Sequence, residues 1–137
     1  MIEYEERFRQ RILFDGMKYE RNIRPTDIDF MLDFNGNILM AEIKCKGLSI
    51  TKGQEIAFCN MAKRFVGTDK KFLALYCTHE TSTDKDVIAA DTQVEMYLRS
   101  YGDKALQFQK DIIGWTLKEA VDYWINAYGI SKGVYDG

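Results

Sequence analysis

Two short apolar runs along the chain flank an Asn35-Gly36 pair. An Asn-Gly pair in that setting predicts a β-hairpin, because a type I′ turn needs positive φ at both central residues. Counting outward from the turn pairs Phe34 with Asn37, Asp33 with Ile38, Leu32 with Leu39, Met31 with Met40 and Phe30 with Ala41. One step further, Asp29 lies opposite Glu42. Lys44 shares the face of Glu42, because side chains alternate along a strand.

The remaining apolar spacing predicts helices and further strands. A period near 3.6 residues predicts helices over 2–14, from Thr51 to about residue 66, over 84–101 and over 116–128. Apolar runs predict a buried strand from Lys71 to Cys77 and a weaker strand over 17–23, while 105–113 fits either a short helix or an extended segment. A helix between two neighbouring strands implies a parallel crossover, so the sheet should be mixed. The predicted fold class is therefore α/β, with a central mixed β-sheet flanked by helices.

The bulk composition bounds the class of protein. The chain has 137 residues, of which 46% are hydrophobic and 29% charged, as expected for one soluble globular domain over 1–137. No apolar run approaches the ~18 residues of a membrane helix, and the first residues lack the pattern of a signal peptide. Cys45, Cys59 and Cys77 are an odd, widely spaced set that predicts reduced thiols and hence a cytoplasmic protein.

The opposed carboxylates of Asp29 and Glu42 need a physical reason, because like charges directly opposite on adjacent strands repel. A divalent cation between them would remove the repulsion, and Mg²⁺ commonly binds one or two carboxylates while keeping several waters. Lys44 beside that cation would orient an attacking water or neutralise developing charge. The pattern therefore indicates metal-dependent chemistry on phosphate. The alternative is an ordinary edge hairpin whose charges are solvated.

Asp29, followed one hairpin later by Glu42-Ile43-Lys44, resembles the core motif of the PD-(D/E)XK nuclease superfamily. Pro25 with Asp27 or Asp29 resembles the leading half of that motif. The resemblance covers about residues 1–80. It implies a restriction-endonuclease-like αβββαβ core, followed by C-terminal helices over about 84–130. It also implies that Asp29 and Glu42 bind Mg²⁺, for which Mn²⁺ can substitute, that Ile43 adds its backbone carbonyl, and that Lys44 assists the water.

Further candidate residues surround this motif. Asp27 remains the alternative to Asp29 as the metal ligand, since both point to the same side of the strand. Glu5, in the first predicted helix, is a further candidate ligand. Gln54 resembles an auxiliary residue of some branches, although a capping box with Thr51 explains it equally well. Local basic charge on a chain of net charge −2 predicts nucleic-acid contacts at Arg24, Lys46 and Lys52.

The implied activity is that of a metal-dependent nuclease that hydrolyses phosphodiester bonds, with DNA favoured over RNA by family association alone. A Holliday-junction-resolvase-like homodimer, a phage recombination or repair nuclease and a restriction-type enzyme all fit. Substrate structure, endo- or exonucleolytic action and oligomeric state stay open. The alternative function is a catalytically inactive nucleic-acid-binding or assembly subunit with a nuclease-like fold.

Overall fold

The structure is a computed structural model, and it describes residues 13, 15–17, 20–22 and 28–128. Three candidate residues, Glu5, Arg24 and Asp27, lie outside the described residues, as does nearly all of the helix predicted over 2–14. The described strands are β1 (Phe30–Phe34), β2 (Asn37–Cys45), β3 (Phe72–His79), β4 (Gln93–Arg99) and β5 (Gln109–Lys110). The described α-helices are α1 (Lys52–Phe65) and α2 (Leu117–Tyr128), and short 3₁₀ turns span Glu20–Asn22 and Ala89–Asp91.

The β1–β2 hairpin has the predicted turn and the predicted register. Asn35 and Gly36 have φ values of 55° and 87°, so both central residues adopt the left-handed conformation of a type I′ turn. The Asp33 carboxylate accepts a hydrogen bond from the Gly36 N–H at 2.8 Å. The strand pairs run from Phe34–Asn37 to Phe30–Ala41, so the register counted from the sequence is confirmed at every pair.

The sheet has five strands in the order β1-β2-β3-β4-β5. The chain leaves β2, passes through α1 and returns as β3 parallel to β2, whereas the other neighbours are antiparallel. Helix α1 begins at a capping box, in which Thr51 and Gln54 satisfy each other's backbone N–H groups. The α/β class and the mixed sheet are therefore confirmed, and the described elements run ββαβββα.

Each face of the sheet is covered by one of the described helices. Even-numbered residues of β2 and β3, among them Met40 and Ala74, pack with Phe58 and Ala62 of α1. Odd-numbered residues of the same strands pack with α2, where Leu117 and Trp124 are buried. The alternation of side chains thus places Glu42 and Lys44 on the α1 face and leaves the α2 face to a separate core.

The region after residue 80 differs from its prediction. The helix predicted over 84–101 is wrong, because β4 occupies Gln93–Arg99 and pairs antiparallel with β3. Its β-branched and aromatic residues suit a strand, and the edge of the apolar β3 needs a partner for its backbone groups. Within 84–128, only Leu117–Tyr128 is α-helical. The ambiguous segment 105–113 contributes the short strand β5, and Glu20–Asn22, inside the weak strand predicted over 17–23, forms a 3₁₀ turn.

Candidate functional site

The candidate site lies on β2, near the end of the strand that leads to helix α1. Glu42 is buried, with 4% of its surface exposed, and Lys44 is half-buried on the same face. The Lys44 Nζ lies 3.5 Å from Glu42 Oε1, which is an ion pair with little access to water. A carboxylate buried to this degree would be costly without cationic or hydrogen-bonding neighbours. The ammonium of Lys44 therefore stabilises the charge of Glu42.

Asp29 reaches the same point of β2 from the neighbouring strand. It precedes the first residue of β1 and is exposed, and its Oδ2 accepts a hydrogen bond from the Ile43 N–H at 2.9 Å. The ladder between β1 and β2 ends at the Phe30–Ala41 pair, so the Asp29 side chain takes the place of the next backbone acceptor. The carboxylate is turned towards the β2 backbone at the residue between Glu42 and Lys44. Within the described part of the chain, its second oxygen, Oδ1, accepts no side-chain or backbone hydrogen bond.

The adjacent strand β3 adds hydroxyl groups to this face. Tyr76 pairs with Glu42 and Thr78 pairs with Lys44, and paired residues share a face of the sheet. The Thr78 hydroxyl donates to Glu95 Oε1 at 2.7 Å, and the Tyr76 hydroxyl donates to the carbonyl of Leu48. Burial, with a smaller effect from Glu95, raises the pKa of Tyr76, so its hydroxyl keeps its proton at neutral pH.

A groove runs beside these strands from the end of β2. Its volume is about 450 Å³, and its lining includes Lys46, Tyr76, Thr78, Glu95 and Lys110. Two lysines therefore flank a groove whose floor carries hydroxyl and carboxylate groups. Cations next to a groove of this kind suit a chain of phosphates more than an apolar ligand.

The predicted auxiliary residue Gln54 and the predicted nucleic-acid contacts Lys46 and Lys52 lie outside the Glu42–Lys44 ion pair, each in its own setting. The Gln54 Oε1 accepts from the Thr51 N–H at 3.2 Å, so its carbonyl oxygen belongs to the helix cap. Lys52 is exposed at the first residue of α1. Lys46 is exposed, donates its backbone N–H to the His79 carbonyl at 2.8 Å, and lines the groove.

Three residues of this face were not found from the sequence. Thr78 falls just beyond the buried strand predicted from Lys71 to Cys77, and Glu95 falls within the helix predicted over 84–101. Lys110 fell in the ambiguous segment 105–113. These residues meet because 93–99 is a strand, β4, which pairs with β3 across a bulge near Tyr76. The helix predicted for this segment does not bring them together. The alternation of apolar and polar residues in this segment was the available signal.

The acidic groups of the site suit a hard cation better than a soft one. Among residues 13, 15–17, 20–22 and 28–128, no group of three or more His, Cys, Asp and Glu side chains is arranged to hold a metal. A zinc site would need about four such ligands. Mg²⁺ needs only one or two carboxylates, because it keeps its waters. Asp29 and Glu42 are the two carboxylates next to Ile43 on β2.

No family model matches the chain, and neither the curated proteins nor the solved structures gave a significant match. Over the described part of the chain, no helix has the length and apolar character needed to cross a membrane. The function must therefore be inferred from the geometry and chemistry of this chain.

Proposed function

We propose that this protein is a metal-dependent nuclease that hydrolyses phosphodiester bonds of nucleic acid, with Mg²⁺ as its cofactor. The observation that carries the proposal is the meeting of three groups at one point of β2: the Glu42–Lys44 ion pair, and the Asp29 carboxylate, which accepts from the N–H of Ile43 between them. Two carboxylates and a lysine in one place provide ligands for a hard cation and a positive group for a phosphate. The resemblance of Asp29 and Glu42-Ile43-Lys44 to the PD-(D/E)XK motif supports the same reading.

Each residue has a distinct part in the proposed reaction. A bound Mg²⁺ supplies Lewis-acid polarisation of the phosphate and lowers the pKa of water. Glu42 would hold the cation with a carboxylate that is shielded from bulk water, and Asp29 would be the second ligand, with its Oδ2 accepting from the Ile43 N–H. Lys44 neutralises Glu42 in the structure, and beside a bound cation its ammonium would orient water or stabilise charge on the phosphate.

The groove beside β3 is the proposed path of the nucleic-acid strand. Lys46 and Lys110 line it, and Lys52 is exposed at the start of α1. These contacts are to phosphates, so binding should weaken steeply as salt rises and should depend little on sequence. DNA is proposed over RNA by family analogy alone.

A substrate panel tests the proposal. Single-stranded, duplex, flapped and four-way DNA and RNA are each incubated with the full chain and Mg²⁺ or Mn²⁺. We expect cleavage of at least one substrate, abolished by EDTA and reduced by about 10²-fold or more in Glu42→Gln, Asp29→Asn and Lys44→Met. Asp29→Asn is informative because an amide oxygen can still accept from Ile43, so the variant removes charge while keeping the hydrogen bond.

Matched control variants distinguish loss of a catalytic group from a mere change in the charge of the protein. Asp33→Asn makes the same substitution on the same strand, but Asp33 lies at the turn and bonds Gly36. Lys118→Met removes a lysine that pairs with Asp122 on α2. Both controls should cleave normally. Binding of nucleic acid without cleavage under any metal condition would instead support the inactive binding subunit, and equal cleavage by Glu42→Gln and the wild-type chain would refute the proposed site.

A further inference from the structure

A second pocket lies on the opposite face of the sheet, between α2 and the strands β3 and β4. Its volume is about 370 Å³. Edge-to-face contacts link its walls, with Tyr101 and Tyr128 at 5.3 Å and Trp115 and Tyr123 at 5.2 Å between ring centroids. Pockets that bind small molecules start at about 300 Å³ and are lined mainly by apolar and aromatic groups. This pocket has the size and walls for a molecule of one or two rings.

A guanidinium group lies in the wall of this pocket. The Arg99 Cζ is 5.6 Å from the ring centroid of Tyr97 and 5.8 Å from that of Tyr101, so two rings flank the cation. The Arg99 Nε is buried and has no hydrogen-bond partner among the described residues. Gly102 makes room for the group, since a Cβ at that position would lie 2.9 Å from both Nε and Nη2. A buried donor that lacks an acceptor is costly, and an anion would supply one.

A second cation, Lys71, lies near Arg99. Lys71 Nζ lies 5.6 Å from the ring centroid of Tyr101, which brings a second cation to the same ring. Within the described part of the chain the ion pairs are Glu42–Lys44 and Lys118–Asp122, so neither Arg99 nor Lys71 pairs with a carboxylate there. Burial raises the pKa of Tyr101, which therefore stays neutral and does not neutralise either cation.

One acidic residue, Asp111, also lines the pocket. Its carboxylate accepts from the backbone N–H groups of Ile113, Gly114 and Trp115 at 3.3, 3.1 and 3.2 Å. These bonds direct the carboxylate to its own loop. Asp111 therefore shapes the loop, and the guanidinium keeps its capacity for another acceptor.

We propose that this pocket binds a small planar aromatic anion, with its ring among the tyrosines and tryptophans and its anionic group on Arg99. A carboxylate or a phosphate would suit the fork of the guanidinium, which pairs with either in two-point geometry. The flat ring would add edge-to-face contacts to those already present. The pocket is separated from Glu42 and Lys44 by the sheet, so this proposal does not depend on nuclease activity.

Calorimetry of the full chain tests the proposal with two matched pairs of probes. Adenosine 5′-monophosphate is compared with adenosine, and naphthalene-2-carboxylate with naphthalene-2-carboxamide. We expect at least one anion to bind about tenfold or more tightly than its neutral counterpart, and Arg99→Met to abolish that preference. The two anions distinguish a phosphate-bearing ligand from a carboxylate-bearing one. Trp115 and Trp124 are the only tryptophans of the chain and both line the pocket, so intrinsic fluorescence should change in the same titration.

Two further variants test the same pocket if Arg99→Met does not fold. Gly102→Ala should displace the guanidinium and weaken anion binding, and Ala120→Phe should fill the pocket from α2 and weaken both members of a pair. Thermal melting confirms that each variant is folded. Lys44→Met, on the other face, should bind the anion as the wild type does. Equal affinity for anion and neutral probe, no binding of any probe, or an anion preference that survives in both Arg99→Met and Gly102→Ala would overturn the proposal.

Discussion

Replacing Lys44 by methionine keeps the apolar stem of the side chain and removes the ammonium that neutralises Glu42. The Lys44 Nζ and Glu42 Oε1 are 3.5 Å apart, and their side chains are 20% and 5% exposed. At that separation Coulomb's law with an effective dielectric constant of about 20 gives roughly 5 kcal/mol of gross attraction. Desolvation of the ammonium offsets much of this, and Glu42 keeps a further interaction in the variant. We therefore expect the free energy of unfolding to fall by about 1–3 kcal/mol.

The same substitution should have the opposite effect on metal binding. At the proposed metal site, a divalent cation would displace the ammonium from Glu42 in the wild-type chain, whereas in Lys44→Met there is no ammonium to displace. We expect Mn²⁺ to bind about tenfold more tightly to the variant, which corresponds to about 1.4 kcal/mol of added stabilisation at saturating metal. Cleavage should nevertheless be lost. Lys44→Met should thus be less stable without metal, more strongly stabilised by metal, and inactive.

Thermal melts with and without Mn²⁺, together with calorimetric titration, measure these effects. A loss of 1–3 kcal/mol should lower Tm by roughly 4–12 °C for a chain of this size. Glu42→Gln is the matched variant, and it should bind Mn²⁺ weakly or not at all. Weaker Mn²⁺ binding by Lys44→Met than by the wild type, or unchanged stability without metal, would refute the reasoning that the ammonium and the cation compete for one carboxylate.

Three further predictions concern the fold. Gly36→Ala should lower the free energy of unfolding in urea by about 1–2 kcal/mol, because φ is +87° and the new Cβ would lie 3.2 Å from Lys70 Cε. The matched variant Gly53→Ala, in α1, places its Cβ where no atom lies within 4 Å, and it should raise the free energy of unfolding by about 0.5–1 kcal/mol. Thr51→Ala should cost about 1 kcal/mol, because the cap of α1 loses its acceptor, and an unchanged urea midpoint would contradict this. Burial raises the pKa of Cys77 from 9.0 to about 12, so stability should be full below pH 9 and decline as pH rises towards 12. Cys77→Ala should flatten that decline, and equal alkaline slopes in the two proteins would show that the thiol is not responsible.

The β1–β2 hairpin shows what local sequence can determine. An Asn-Gly pair adopts a turn that few other pairs accept, and the turn leaves one register for the flanking strands. Every observed pair follows from that count. The capping box at Thr51 is equally local, since its partner lies three residues away. The parallel crossover from β2 to β3 was also predictable, because an apolar strand, a helix and a second apolar strand have one common arrangement.

The Asp29 carboxylate shows where such counting stops. The register places Asp29 opposite Glu42. It does not say whether the Asp29 side chain lies beside Glu42 or accepts a hydrogen bond from the backbone of the neighbouring strand. That choice depends on which backbone N–H groups lack a partner at the end of the hairpin. In the structure the Ile43 N–H takes the Asp29 Oδ2. The sequence also predicts a Lys44 that acts on water or on the charge of a phosphate, whereas in the structure Lys44 forms an ion pair with Glu42.

The chain by itself thus determined the hairpin, its register, the start of α1, the shared face of Glu42 and Lys44 on β2, and the place of Asp29 opposite Glu42 beyond the last pair of the hairpin. Each of these depends on interactions within a few residues or on the alternation of side chains along a strand. Only the tertiary structure decided that 93–99 is a strand, because its hydrogen bonds are made with β3, about 20 residues away along the chain. The same pairing brings Glu95 to the groove beside the candidate site and Arg99 to the aromatic pocket on the other face. The alternation of apolar and polar residues over 93–99 fits a strand, but no local pattern identifies the strand with which it pairs, and that pairing is defined only in the assembled sheet.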